Sequence, residues 1–118
     1  MIPLGTFKNA VAASGEAYTD VLGLDELEVG AQRVVRVGLQ RVLLCRTDEQ
    51  TVHAVSDVCP HALQPLFGGT VAEGAIRCAK HGASFDLACG KPLNAVTQKA
   101  LPVFALRIRE GRIEVSLS

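Results

Sequence analysis

Tryptophan is absent, and only one tyrosine and four phenylalanines occur in 118 residues. So few rings leave little with which to build a base-stacking platform. Net charge is missing as well: Lys plus Arg and Asp plus Glu are 12 each. No overall positive field draws the chain to nucleic acid or to anionic lipid, so any docking must rest on a local patch. No apolar run approaches the length of a membrane span. The first residues, MIPLGTFKNAVAASGEAY, lack the apolar core of a secretory leader. The expectation is a cytoplasmic protein that binds neither membrane nor nucleic acid. Thiols stay reduced in that compartment, so four cysteines point to a metal or to buried thiols before they point to disulfides.

What the chain does have is 48% apolar residues and 20% charged ones. That suits one modest core and argues against disorder. A single domain over 1–118 is expected, with residues 1–16, rich in small side chains, as an N-terminal extension. The rest reads as short strands. QRVVRVG (32–38) and RVLLCRT (41–47) are β-branched runs bounded by turn residues. TVHAVSD (51–57) alternates, and TDEQ before it reads as the turn of a hairpin. LDELEVG (24–30) suits a turn or a single helical turn. PVFALRIREGRIEVSLS reads as two strands about Glu110-Gly111, and Gly90 and Pro92 punctuate FDLACGKPL. The fold class is all-β.

The chemistry is concentrated in two short boxes. Cys59-Pro60-His61 is followed, after sixteen intervening residues, by Cys78-Ala79-Lys80-His81-Gly82. Each box offers one thiolate and one neutral imidazole. A mixed sulfur and nitrogen set suits zinc, or a cluster held by two cysteines and two histidines. Zinc fingers usually pair Cys with Cys and His with His in sequence. Here the types alternate between boxes, as a two-iron site would need if one iron took both thiolates and the other both imidazoles. The other candidates have blander readings. His53 suits a strand residue, Cys45 in RVLLCRT a buried inert thiol, and Cys89 an incidental turn residue. Lys80 points outward between two ligand positions and is a candidate docking residue.

The two boxes, with VHAVSDVCPH, GGTVAEGAIRC and HGASFDLACGKPL around them, resemble those of Rieske [2Fe-2S] proteins over about Leu22 to Ser118. The resemblance implies the Rieske fold: antiparallel β-sheets with a small cluster-binding subdomain formed by two loops, here about 57–68 and 78–92. It implies one [2Fe-2S] cluster per chain, with Cys59 and Cys78 on one iron and His61 and His81 on the other. High-potential members carry a further, disulfide-bonded cysteine in each loop; Gln64 and Lys80 stand at those positions. They also carry a serine and a tyrosine that hydrogen-bond the cluster sulfurs, where this chain has Ala83 and Phe85. A third loop often bears a proline pair; the matching stretch, Leu93 to Lys99, has Ala95 and Val96 instead.

With no anchor helix expected and no catalytic iron domain, the nearest likeness is to soluble, low-potential Rieske-type ferredoxins of ring-hydroxylating oxygenase systems. That likeness implies a one-electron carrier rather than an enzyme. Its partners would be an NAD(P)H-linked ferredoxin reductase, flavin or iron-sulfur, and a terminal oxygenase, and it would be a monomer or weak oligomer. The alternative implied by the same likeness is the small Rieske-like subunit of an assimilatory nitrite reductase.

Overall fold

The computed structural model describes residues 17–61 and 63–117. The expected N-terminal extension, residues 1–16, lies outside them. The strands are β1 (Thr19–Gly23), β2 (Gln32–Val37), β3 (Gln40–Asp48), β4 (Thr51–Ser56), β5 (Thr70–Ala72), β6 (Ala75–Arg77), β7 (Ser84–Asp86), β8 (Val103–Arg109) and β9 (Arg112–Ser116). The helical turn expected near Leu24 is a 3-10 turn over Leu24–Glu26. Among the described residues no helix is long and apolar enough to cross a membrane.

Six strands form a base in the order β1-β9-β8-β4-β3-β2, and β5-β6-β7 form a separate antiparallel sheet. The β3–β4 pair is the hairpin that TDEQ announces, with Cys45 opposite His53. Strand β3 explains why RVLLCRT shows no alternation. Val42 and Leu44 pack into a base core with Leu22, Ile113 and Val115. Leu43 and Cys45 face the other way, into a second core with Val55, Leu66, Ile76 and Phe85. A strand buried on both faces reads as a continuous apolar run.

That second core ties the small sheet to the base. The side-chain amide of Gln32 adds a two-point latch, donating to the Gly69 carbonyl at 2.7 Å and accepting from the Gly68 N–H at 2.9 Å. Gly90 closes the far side of the small sheet. Its φ is +82°, and a β-carbon there would overlap the Leu101 carbonyl, so the tight approach of these two segments requires glycine.

Candidate metal centre

The two boxes are the tips of two hairpins built alike. Val58 pairs with Pro65 across the first tip, and Arg77 with Ser84 across the second. In the first, the Cys59 N–H donates to Gln64 O (2.8 Å) and Leu63 N–H donates back to Cys59 O (2.7 Å). In the second, the Cys78 N–H donates to Ala83 O (2.8 Å) and Gly82 N–H donates to Cys78 O (3.0 Å). Both chains turn back through the left-handed region at the equivalent residue, Leu63 (φ 56°) and Gly82 (φ 79°). The equivalence sets Cys59 beside Cys78 in role and places Lys80 where the first tip has His61. The histidine of the second box sits one residue later.

The result separates the donors by depth. Cys59 and Cys78 are buried, 0% and 2% exposed, in the core shared with Ala83 and Phe85. His61 and His81 are exposed, and their rings meet edge to face with centroids 4.9 Å apart and planes at 74°. All four cysteines are described, and no disulfide joins any of them. Among the described residues no group of three or more His, Cys, Asp or Glu side chains gathers to hold a single metal ion. A two-iron cluster makes a different demand: two protein donors per iron, with sulfide completing each coordination sphere. Two buried thiols and two adjacent exposed imidazoles, one of each from either tip, fit that donor set.

The remaining sequence candidates are placed elsewhere. Cys45 is 1% exposed on β3, and burial, helped by the charge of Asp57, pushes its thiol up to about 12, so it stays protonated and inert. Cys89 is exposed in the turn after β7, where its N–H donates to Asp86 Oδ1. His53 sits half-buried on β4, and burial holds it below its ordinary value against the pull of Asp86 and Asp48. Lys80 is exposed, as expected. The second expected loop, 78–92, differs from the reading: it contains strand β7, because Ser84–Asp86 pairs with β6.

Asp57 and Asn94, which the sequence does not single out, hold the loops around the site. Asp57, 0% exposed, governs the root of the first tip. Its carboxylate accepts Arg41 Nε (3.1 Å) and Nη2 (2.8 Å), and also the Phe67 N–H (2.8 Å). Its backbone carbonyl accepts the Leu66 N–H at 2.7 Å. Asn94 does similar work for the third loop. Its Nδ2 donates to Gly82 O at 2.8 Å, its Oδ1 accepts the Val96 N–H, and Leu93 N–H donates to Ser84 O. Those bonds tie the stretch with Ala95 and Val96 to the second tip. Arg77 lies over Gly82: a β-carbon there would sit 3.2 Å from its Nη2. None of these positions carries a pattern that period or spacing could reveal.

Fold and site together define a small all-β protein whose two matching hairpin tips carry a donor set that fits a metal cluster. Residues 17–105 match the family model described as the Rieske [2Fe-2S] domain, and the chain belongs to that family. Its cofactor is a Rieske-type [2Fe-2S] cluster. Ferredoxin CarAc of Metapseudomonas resinovorans is 28% identical, covering 86% of this chain and 94% of that one. The solved ferredoxin of carbazole 1,9a-dioxygenase from Nocardioides aromaticivorans IC177 superposes with a TM-score of 0.81 at 25% identity, covering 86% and 99% of the two chains. A putative NADH-dependent nitrite reductase small subunit from Mycobacterium tuberculosis superposes at 0.79 with 26% identity, covering 87% and 96%. The chain also matches 83% of its length, at 32% and 33% identity, to Apoptosis-inducing factor 3 of mouse and human, but spans only 16% of those proteins.

Proposed function

We propose that this chain is a one-electron carrier, not itself an enzyme, that passes electrons from an NAD(P)H-linked reductase to a terminal oxygenase in the cytoplasm. Cys59 and Cys78 would hold one iron and His61 and His81 the other. The observation that carries the assignment is the pair of matching hairpin tips, which bury both thiols and bring the two imidazoles to 4.9 Å at the surface. When bound, the cluster supplies one-electron redox chemistry. The chain's own residues do the rest: the core around Cys59 and Cys78 keeps water from the thiolates, and the exposed imidazole edges offer the shortest path out. A partner oxygenase is supported by a solved complex of oxygenase and ferredoxin in carbazole 1,9a-dioxygenase, whose ferredoxin matches this chain at 28% identity and a TM-score of 0.78.

The test is reconstitution. Added in catalytic amounts to a reductase and an oxygenase that lack their own ferredoxin, the loaded chain is expected to restore NADH-dependent product formation. Substrate turnover by the isolated chain would end the carrier reading. The likeness to a nitrite reductase small subunit supports a second reading, in which the chain resides permanently in a large complex. Gel filtration of native lysate separates the two, since a diffusible carrier elutes near its own 12.5 kDa or as a small oligomer.

The core also predicts the potential. Ala83 and Phe85 are both 0% exposed and pack with the two cysteines, and neither carries a hydroxyl to donate to sulfur. Donors to the sulfurs stabilise the reduced state, so their lack lowers the potential. Rieske centres span about −150 to +300 mV, and this one is expected near roughly −150 mV. Phe85→Tyr and Ala83→Ser are each expected to raise it by about 40 mV, the equivalent of one hydrogen bond of about 1 kcal/mol. Film voltammetry reads this directly. A wild-type value above about +100 mV contradicts the low-potential assignment.

A further inference from the structure

The chain is neutral overall, but its charge is not evenly spread. Between Cys59 and Pro102 there are four basic residues, Arg77, Lys80, Lys91 and Lys99, against two acids, Glu73 and Asp86. The cluster-bearing half is therefore +2, and the remainder is −2 because the whole is zero. Geometry sharpens the contrast at the tip. Arg77 lays its guanidinium over Gly82, the neighbour of His81. Lys80 is exposed at the position where the first tip presents His61. Among the described residues neither Arg77 nor Lys80 forms an ion pair; the same holds for Arg33, Arg36, Lys91 and Lys99, whereas Arg41, Arg46, Arg107, Arg109 and Arg112 are paired.

The two acids of this half have contacts of their own away from the histidine rings. Asp86 caps the Ala88 and Cys89 N–H groups through Oδ1 and acts on His53 of β4. Glu73 lines a cleft with Gly30, Arg46, Thr47 and Asp48. Asp57, at the root of the first tip, is buried and held by Arg41. Among the described residues, Arg77 and Lys80 thus lie next to the exposed histidines in the fold with no ion pair to offset their charge.

We propose that Arg77 and Lys80 make the electron-exit tip selectively reactive toward anionic acceptors, and that the partner face it docks on is acidic around its own redox centre. The inference rests on the carrier reading above. The formal charge of the chain is zero and a reduced cluster adds one negative charge, so the global charge cannot favour an anion and a salt dependence that does so reports the local patch. Ionic strength sets the range of that patch: the screening length falls from about 30 Å at 0.01 M to about 8 Å at physiological salt.

The experiment is stopped-flow oxidation of the reduced, cluster-loaded protein by hexacyanoferrate(III) and, in parallel, by a tripositive cobalt(III) tris-phenanthroline complex. The cluster gives up one electron, and one ferric or cobaltic ion is reduced. The rate with the anion is expected to fall about fivefold or more as salt rises from 0.01 M to 0.15 M, and the rate with the cation to rise. The Arg77→Gln/Lys80→Gln double variant takes the chain from zero to −2, so it should remove or reverse both slopes with iron and sulfide content unchanged. Arg109→Gln, at the far end of β8, removes an arginine that is 55% exposed and whose partner Glu114 keeps Arg107, and should leave the sign of both slopes as it is. Flat or inverted slopes in a fully loaded protein, or slopes that survive the double variant, overturn the proposal alone. A purified chain with no iron and no labile sulfide overturns the carrier reading and this inference together.

Discussion

Cys59→Ser, Cys78→Ser, His61→Ala and His81→Ala are each expected to abolish the cluster, so that iron, labile sulfide and visible absorbance all fall to background. In the proposed assignment each iron has two protein donors, and losing one removes half of its protein coordination. The thiol variants also put a hydroxyl into a core where Cys59 and Cys78 are 0% and 2% exposed. The histidine variants test a different point, since both rings are at the surface and contribute little packing. Their apoproteins should fold as the wild-type apoprotein does, with colour alone lost. Cys45→Ala and Cys89→Ser are the controls. Cys45 is a protonated thiol in the core, and Cys89 faces solvent beyond β7. Both should keep the full cluster. A colourless Cys89→Ser beside a coloured Cys78→Ser would show that the wrong thiolate had been assigned.

The ligand candidates were legible in the sequence because the chemistry of a donor set depends on residue type and spacing, which a sequence displays directly. The larger strands were legible for a similar reason. Runs such as QRVVRVG and RIEVS keep β-branched residues between turn residues, and β2 and β9 lie there. The small sheet was not. Its strands have three residues each, Thr70–Ala72, Ala75–Arg77 and Ser84–Asp86, too few to show a period. The internal likeness of the two tips was hidden as well. It is a likeness of backbone hydrogen bonds, and the residues at its turning point, Leu63 and Gly82, share no side-chain chemistry. Asn94 illustrates the remaining gap. An asparagine in a loop reads as turn chemistry, and its bond to Gly82 O spans 12 positions that only the folded chain brings together. Asp57 was concealed by β4, whose last residues are buried without alternation, so an acidic side chain there looked like the start of a loop.

Asp57 leads to the second large effect, which falls on stability. Its carboxylate is wholly buried and is held by Arg41, whose side chain is 42% exposed. Arg41→Met removes the only ion-pair partner among the described residues and leaves a buried charge uncompensated. Breaking a buried pair from one side costs about 3–5 kcal/mol. The lower end is expected here, because Arg41 is partly hydrated and the Phe67 N–H still bonds Asp57 Oδ1. For a domain of this size that is a drop of roughly 10 °C in Tm. Asp57→Asn should cost less. It removes the buried charge, keeps an oxygen for the Phe67 N–H, and lets Arg41 turn to water. The Arg41→Met/Asp57→Asn double variant should then be more stable than Arg41→Met alone, a non-additivity that marks a direct pair. Because Asp57 also anchors Leu66 and Phe67, loosening it frees the segment that carries Cys59 and His61. The same variants should therefore release iron to a chelator in the order of their lost stability. Thermal melts at one scan rate, with chelator-trapped iron followed in parallel, provide both readouts. If Arg41→Met melted within a degree or two of wild type, or Asp57→Asn proved the more damaging change, the ion pair would not be what holds the first tip in place.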